Sequence, residues 1–185
     1  IPDAHRLSEL PNRFPRMSFN IAMSVPFLSS IGSVSAAMLE SGRRAAVAVA
    51  GSGQPHLRLV DLESPFDIDY ELAQRNLVAL ARSMETIDGL LSIEHSFQQW
   101  SGLLHAFRSA RSSLDSQKKR LRLCFDPCNL QMAEPGIDVA AAVASLSVEE
   151  ISMVHLKQCR DGSILPNVSD GGVNWKIAGK ALADI

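Results

Sequence analysis

Cysteine is scarce in this chain, with three in 185 residues, and an odd, small count of thiols builds no disulfide framework. Cys124 and Cys128 stand four apart, but no second Cys/His pair follows at a zinc-site spacing, so they are not read as a structural zinc site. Long apolar runs are missing too: nothing approaches the roughly 20 residues of a membrane span. The opening residues, Ile1-Pro2-Asp3-Ala4-His5-Arg6, have neither the basic start nor the apolar centre of a secretory signal, which makes the cytoplasm the expected compartment. Surplus charge is absent as well. A formal charge of -2 argues against a broad nucleic-acid surface, and the one basic cluster, Lys118-Lys119-Arg120 with Arg122, Arg108 and Arg111, reads as a solvated helix end and loop. No Pro/Gly/Ser linker divides the chain, and 46% hydrophobic residues suffice for one domain with a core.

What is present is an alternation. Short strings rich in Val, Ile, Leu and Phe take turns with longer stretches whose apolar residues fall at helical spacing, as in βα units around a parallel sheet. Asp69 caps an expected helix with Leu77, Leu80, Ala81, Met84 and Ile87 on one stripe, closed by Gly89 as a left-handed residue. Others run from about Gly102 to Ser113 on Leu103, Leu104 and Phe107, through Val139, Ala142, Val143 and Leu146, and from the cap Asn174 through Trp175, Ile177, Ala178 and Leu182. A short one carries Val34, Ala37 and Met38 and ends at Gly42. Six strands are expected between them: Ser18 to Met23, Ala45 to Ala50, His56 to Leu62, Leu90 to Glu94, Leu121 to Asp126 and Ile151 to Lys157. A closed (β/α)8 barrel takes about 250 residues, so if these units belong to one, about six of its eight are readable.

Three strand candidates end in a side chain able to hold a metal: Leu91-Ser92-Ile93-Glu94, Leu123-Cys124-Phe125-Asp126 and Met153-Val154-His155. Glu94, Asp126 and His155 are separated by 32 and 29 residues, one βα unit each. Taken singly, a carboxylate at a strand end caps the next helix and a histidine is a hydrogen-bonded rim residue. Three at equivalent places in consecutive units would meet at the C-terminal rim of a barrel, where a carboxylate, a carboxylate and an imidazole suit Mn²⁺, Mg²⁺, Co²⁺ or Zn²⁺.

Four segments, Ser92-Ile93-Glu94-His95, Cys124-Phe125-Asp126-Pro127-Cys128-Asn129, Val154-His155-Leu156-Lys157 and Ser169-Asp170-Gly171-Gly172-Val173-Asn174-Trp175, resemble successive signatures of the xylose-isomerase-like sugar phosphate isomerase/epimerase superfamily. The family pattern has a Glu ending strand five, Asp-x-x-His ending strand six, His-x-Lys on strand seven and a Gly-rich turn before the next helix. The match covers roughly residues 70 to 184, and the first 65 only loosely. The resemblance implies a TIM barrel with a divalent-metal site at Glu94, Asp126 and His155, and a fourth ligand, a Glu ending strand eight. In that frame the 185 residues are one barrel domain from which strand 2 and strand 8 are missing. Asn129 departs from the pattern, standing where a substrate-contacting histidine is usual, and an amide cannot carry a proton at neutral pH.

The implied activity is that of a metal-dependent isomerase or epimerase, or a dehydratase, acting on a small sugar, polyol or keto acid, with Glu94 as ligand and base. Arg58 is read either as a substrate-binding cation or as an ion-pair partner of Glu94 or of the Asp61 neighbourhood. Lys157 points to the same side as His155 and either binds substrate oxygen or neutralises the carboxylates. Trp100 is read as a stacking platform for a sugar or as packing at a helix start, and Asn129 as a hydrogen-bonding substrate contact. Two other readings stand beside the enzyme. One is a degenerate barrel that binds a carbohydrate-like ligand without catalysis. The other, an apurinic-site endonuclease-like nuclease, wants more than five histidines and a basic face. The expected partner is a small-molecule substrate, with no nucleic acid and no membrane, and room for a homo-oligomer.

Overall fold

The computed structural model describes residues 4–29, 31–168 and 170–185. Ile1 to Asp3, where the signal reading began, and Ser169, which opens the glycine-rich motif, lie outside the described residues, as does the side chain of Val34. Five strands, β1 (Ile21–Ser24), β2 (His56–Val60), β3 (Leu90–Glu94), β4 (Leu121–Phe125) and β5 (Ile151–Val154), form one sheet. They pair in chain order and every pairing is parallel. Helix α1 (Ala4–Arg13) precedes β1, and α2 (Ser33–Ala50), α3 (Tyr70–Ser83), α4 (Trp100–Ser112) and the pair α5 (Pro127–Ala133) and α6 (Val139–Ala144) follow β1 to β4 in turn. Neighbouring strands in strict sequence order are a barrel's arrangement, since a doubly wound sheet reverses its order at a switch point. A small hairpin of β6 (Cys159–Arg160) and β7 (Ser163–Ile164) and the helix α7 (Trp175–Ala183) complete the chain. Among the described residues no helix is long and apolar enough to cross a membrane.

Alternation along the strands sorts the two faces. Leu57, Leu59, Leu91, Ile93, Leu121, Leu123 and Phe125 are buried against Leu77, Leu80 and Met84 from the α3 segment and Leu103, Phe107 and Ala110 of α4. Each such side chain contributes about 1.5–3 kcal/mol by leaving water. The alternating positions, His56, Arg58, Ser92, Glu94, Arg122 and Cys124, face the barrel interior and are mostly polar.

The segment Ala45 to Ala50 is not a strand but the last turns of α2. Alanine is the strongest helix former, and the buried positions Leu39, Gly42, Ala45, Ala46 and Val49 recur at helical spacing. Gly42 therefore does not end a helix. It lies inside one, where the Met23 thioether of β1 and Leu57 of β2 press on it so closely that a Cβ would collide. The left-handed residue after α3 is Asp88, with φ of 49°, while Gly89 donates its N–H to the Met84 carbonyl at 2.9 Å. Asp69 and Asn174 do cap their helices, accepting from the backbone N–H of Leu72 and Ile177. Ile177 itself points outward, 54% exposed. The basic cluster is largely spent on local bonds: Arg108 pairs with Glu150, Arg120 with Asp88, and Arg111 donates to the Lys118 and Leu121 carbonyls.

The loops at the C-terminal ends of the strands are tied to one another through Asp61. Its buried carboxylate accepts from Leu28 N and Ser64 Oγ on one oxygen and from Glu63 N and Ser64 N on the other, at 2.8–3.1 Å. The Gln98 amide donates to the Asp61 carbonyl, so the loops after β1, β2 and β3 share one anchor. Asp61→Ala leaves four donors without that acceptor and is expected to cost about 3 kcal/mol or more in urea unfolding. A loss under about 1 kcal/mol would show that the loops are held by other means.

Candidate functional site

Glu94 ends β3 with its carboxylate 5% exposed, and in the parallel register its β4 neighbour is Cys124. Asp126 follows β4 and is fully buried. Its Oδ1 caps α5, accepting from Cys128 N at 3.1 Å and Asn129 N at 3.0 Å, which leaves Oδ2 for the interior.

His155 reaches the same place through an irregularity. Leu123 pairs with Ile151 and Cys124 with Met153, so Ser152 is an extra residue in β5. Ile151 and Val154 both pack on the apolar core although they stand three positions apart, an odd spacing that period-two alternation allows only with such a bulge. The slip turns Met153 and His155 inward alongside Cys124 and Asp126. Ser152 is held by donating to the Leu123 carbonyl at 2.8 Å while accepting from Ser92 Oγ at 2.6 Å, and Ser92 lies 2.6 Å from His56 Nε2.

His155 Nδ1 lies 3.1 Å from Glu94 Oε1 and 3.1 Å from Asp126 Oδ2, and its Nε2 lies 3.4 Å from Cys124 Sγ. Lys157 Nζ is 2.6 Å from Asp126 Oδ2 and 3.5 Å from Glu94 Oε1, and Arg58 pairs with Glu94 Oε2. Asn129 donates to the His95 carbonyl at 2.8 Å and to Glu94 Oε1 at 3.4 Å. Six of the seven residues singled out from sequence therefore gather at one point. Trp100 is the exception: it is 6% exposed, edge-on to His95 and Phe125, so its ring is spent on core packing and offers no face to a sugar. Arg58 is ion-paired with Glu94, and Lys157 lies within ion-pair reach of both carboxylates. Cys124 was missed as a site residue, although it lies two before Asp126 and so shares its face.

The electrostatics follow from this crowding. Hydrogen bonds to Asp126 and Cys124 raise His155 to about 9 against the opposing effect of burial. Burial by itself would raise the Asp126 carboxyl, but hydrogen bonds from His155, Lys157 and the Asn129 backbone outweigh it and hold Asp126 below the ordinary range. One layer down, burial with the charges of Arg58 and Arg122 pushes His56 to about 4. The donor chemistry fits a divalent cation. Ligand atoms of Glu94, Cys124 and His155 all lie within 4.8 Å of one another, so that modest side-chain rotation would bring them onto metal bonds of about 2.0–2.3 Å. A wide cleft bordered by Arg108, Lys118 and Glu150 opens instead beside the N-terminal ends of β4 and β5, away from these groups.

No protein-family model matches the sequence, and no curated protein matches it. Solved structures do. The structure of the IolI protein with a bound zinc atom matches with a TM-score of 0.68 at 12% identity, over 97% of this chain and 69% of that one. A xylose isomerase domain-containing protein from Salmonella typhimurium LT2 matches at 0.69 and 16% identity, over 98% and 67%. A xylose isomerase domain protein from Alicyclobacillus acidocaldarius matches at 0.65 and 15%, over 97% and 73%. The chain has the xylose isomerase-like TIM-barrel fold. At 12–16% identity the likeness is one of fold, and the chain spans 67–73% of these proteins' lengths. The five parallel strands are thus part of a xylose isomerase-like barrel sheet, and Glu94, Asp126 and His155 stand at its C-terminal rim, where barrels of this class carry their chemistry.

The pH dependence of stability carries the mark of His56. Its folded-state value near 4 lies below the ordinary 6.5, so the unfolded chain binds the extra proton between those limits. This contribution to stability is complete above about pH 6.5 and declines as pH falls from there through about 4. Urea titrations at pH 6 and 5, where the raised His155 is largely protonated in both states and so drops out, are expected to show that decline, and His56→Gln to reduce it. An equal slope in the variant would place the proton elsewhere.

Proposed function

We propose that this protein is a divalent-metal-dependent isomerase or epimerase, or a dehydratase of related chemistry, acting on a small sugar, polyol or keto acid. The supporting observation is the meeting of Glu94, Asp126 and His155 from the ends of three consecutive parallel strands, His155 Nδ1 being 3.1 Å from each carboxylate. The zinc atom bound by the IolI protein, a neighbour in fold, agrees with a metal at this rim. In this reading Glu94, Asp126 and His155 hold the cation, which when bound supplies Lewis acidity toward a substrate carbonyl and its adjacent hydroxyl.

The remaining work belongs to side chains. Glu94 is the proton acceptor from the carbon next to the carbonyl, with Arg58 fixing its second oxygen and so the direction of the first. Lys157, poised between Asp126 and Glu94, turns to a substrate oxygen once the carboxylates have another partner. Asn129 hydrogen-bonds substrate and carries no proton, because its amide nitrogen is committed to the His95 carbonyl and an amide does not titrate. Deprotonation on one face, with return of that proton to the neighbouring carbon and passage of the hydroxyl proton to the former carbonyl oxygen, describes an isomerisation that needs only one carbon base, Glu94.

A second reading is a barrel that binds a carbohydrate-like ligand without catalysis. It is supported by the ion pairs of Arg58 and Lys157, which already balance both carboxylates. Two measurements separate the readings. Metal content after loading and dialysis is expected to fall at least about tenfold in Glu94→Ala and in Asp126→Ala, and unchanged content in both would sink the site. Incubation of the metal-loaded protein with a panel of aldoses, ketoses, inositols and keto acids in D₂O is expected to give deuterium at the carbon next to the carbonyl. Glu94→Gln should slow that exchange about 10²–10⁴-fold. Ligand binding with no exchange across the panel would favour the non-catalytic reading.

A further inference from the structure

We infer that Cys124 is a ligand of the same cation, and that its thiolate makes the site selective for zinc-class ions over Mg²⁺ and Mn²⁺. The inference rests on the metal-site reading above and adds a donor that the family resemblance did not supply. Cys124 is fully buried, yet it belongs to neither apolar cluster of the protein. The other two cysteines behave differently: Cys128 and Cys159 pack with Val139, Val173 and Ala178 in a small apolar cluster behind the site. Cys124 instead lies beside Glu94 in the strand register, with its sulfur 3.4 Å from His155 Nε2.

Strand geometry explains the placement. Glu94 and Cys124 are register partners on adjacent strands and share the inward face, and the β5 bulge brings His155 around to them. Asp126 offers only one oxygen to the interior, because the other caps α5. A carboxylate, an imidazole and a thiol whose ligand atoms lie within 4.8 Å of one another form a mixed set of hard and soft donors. Sulfur ligands favour Zn²⁺, and with it Co²⁺ and Cd²⁺, whereas Mg²⁺ and Mn²⁺ prefer oxygen. On binding, the S–H bond breaks, its proton leaves to solvent, and the sulfur lone pair forms the metal bond.

Cobalt tests this directly, since a cobalt–thiolate bond gives an intense near-ultraviolet charge-transfer band and oxygen or nitrogen ligands do not. The expected result is that band in the Co²⁺-loaded protein, its loss in Cys124→Ser with weak visible cobalt bands retained, and Zn²⁺ affinity about tenfold or more lower in the variant while Mg²⁺ affinity is unchanged. Visible cobalt bands without the charge-transfer band in the unmodified protein, or a band that survives Cys124→Ser, would overturn the cysteine ligand and leave the metal site standing. No cobalt uptake by the unmodified protein would overturn both. Should Cys124→Ser fail to fold, the unmodified protein decides: Cd²⁺ loading is expected to give the intense ultraviolet band of a cadmium–thiolate bond, and Cd²⁺ uptake without that band contradicts the inference.

Discussion

The one-residue slip between β4 and β5 is the constraint on which the site depends. Side chains alternate along a strand, and Ile151 and Val154 are both needed on the helix side to continue the core begun by Leu123 and Phe125. An unbroken strand that buried Ile151 would send His155 outward with it. The extra residue, Ser152, reverses the parity so that packing and chemistry are served by the same four-residue strand. Two hydroxyl hydrogen bonds, one from Ser92 and one to the Leu123 carbonyl, hold the bulge in place. The site is therefore built from the inside of the sheet outward.

Charge balance is the second theme. Two buried carboxylates within reach of one imidazole nitrogen repel one another unless cations intervene, and Arg58, Lys157 and protonated His155 fill that need. A divalent ion supplies the same compensation. His155 would exchange its proton for the metal, and Lys157 would be released toward substrate. On the proposed function the arrangement would have two electrostatically satisfied states, with Arg58 on Glu94 common to both.

Much of this was legible in the chain itself. The strands ending in Glu94, Asp126 and His155 were readable because parallel strands covered on both faces are short apolar runs, and a polar residue at the end of such a run stands out. Asp69 and Asn174 were readable as caps because their side chains compete for backbone donors. Ala45 to Ala50 was not, since the apolar run Ala-Ala-Val-Ala-Val-Ala also fits a buried strand, and the helical period shows only when it is joined to Leu39 and Gly42 upstream. The Asp161-Gly162 pair, with φ of 51° and 73°, marks the β6–β7 hairpin and passed unnoticed between stronger signals. Trp100 and Cys124 show where local sequence stops informing: of the two readings of Trp100 the structure shows the packing one, and Cys124 was not singled out. A helix-start tryptophan gives no local sign of which way it points, and the cysteine's role depends on a bulge one strand away that no sequence period reveals.

The bulge in β5 brings His155 to Glu94 and the β4 donors, and on the proposed function these together hold one divalent ion. Diffraction from zinc-loaded crystals, collected on both sides of the zinc absorption edge, tests it most directly. A single strong anomalous peak is expected within bonding distance of Glu94 and His155, at the C-terminal ends of β3 to β5. A zinc peak elsewhere, or a His155 ring turned away from Glu94 in the loaded protein, would contradict it.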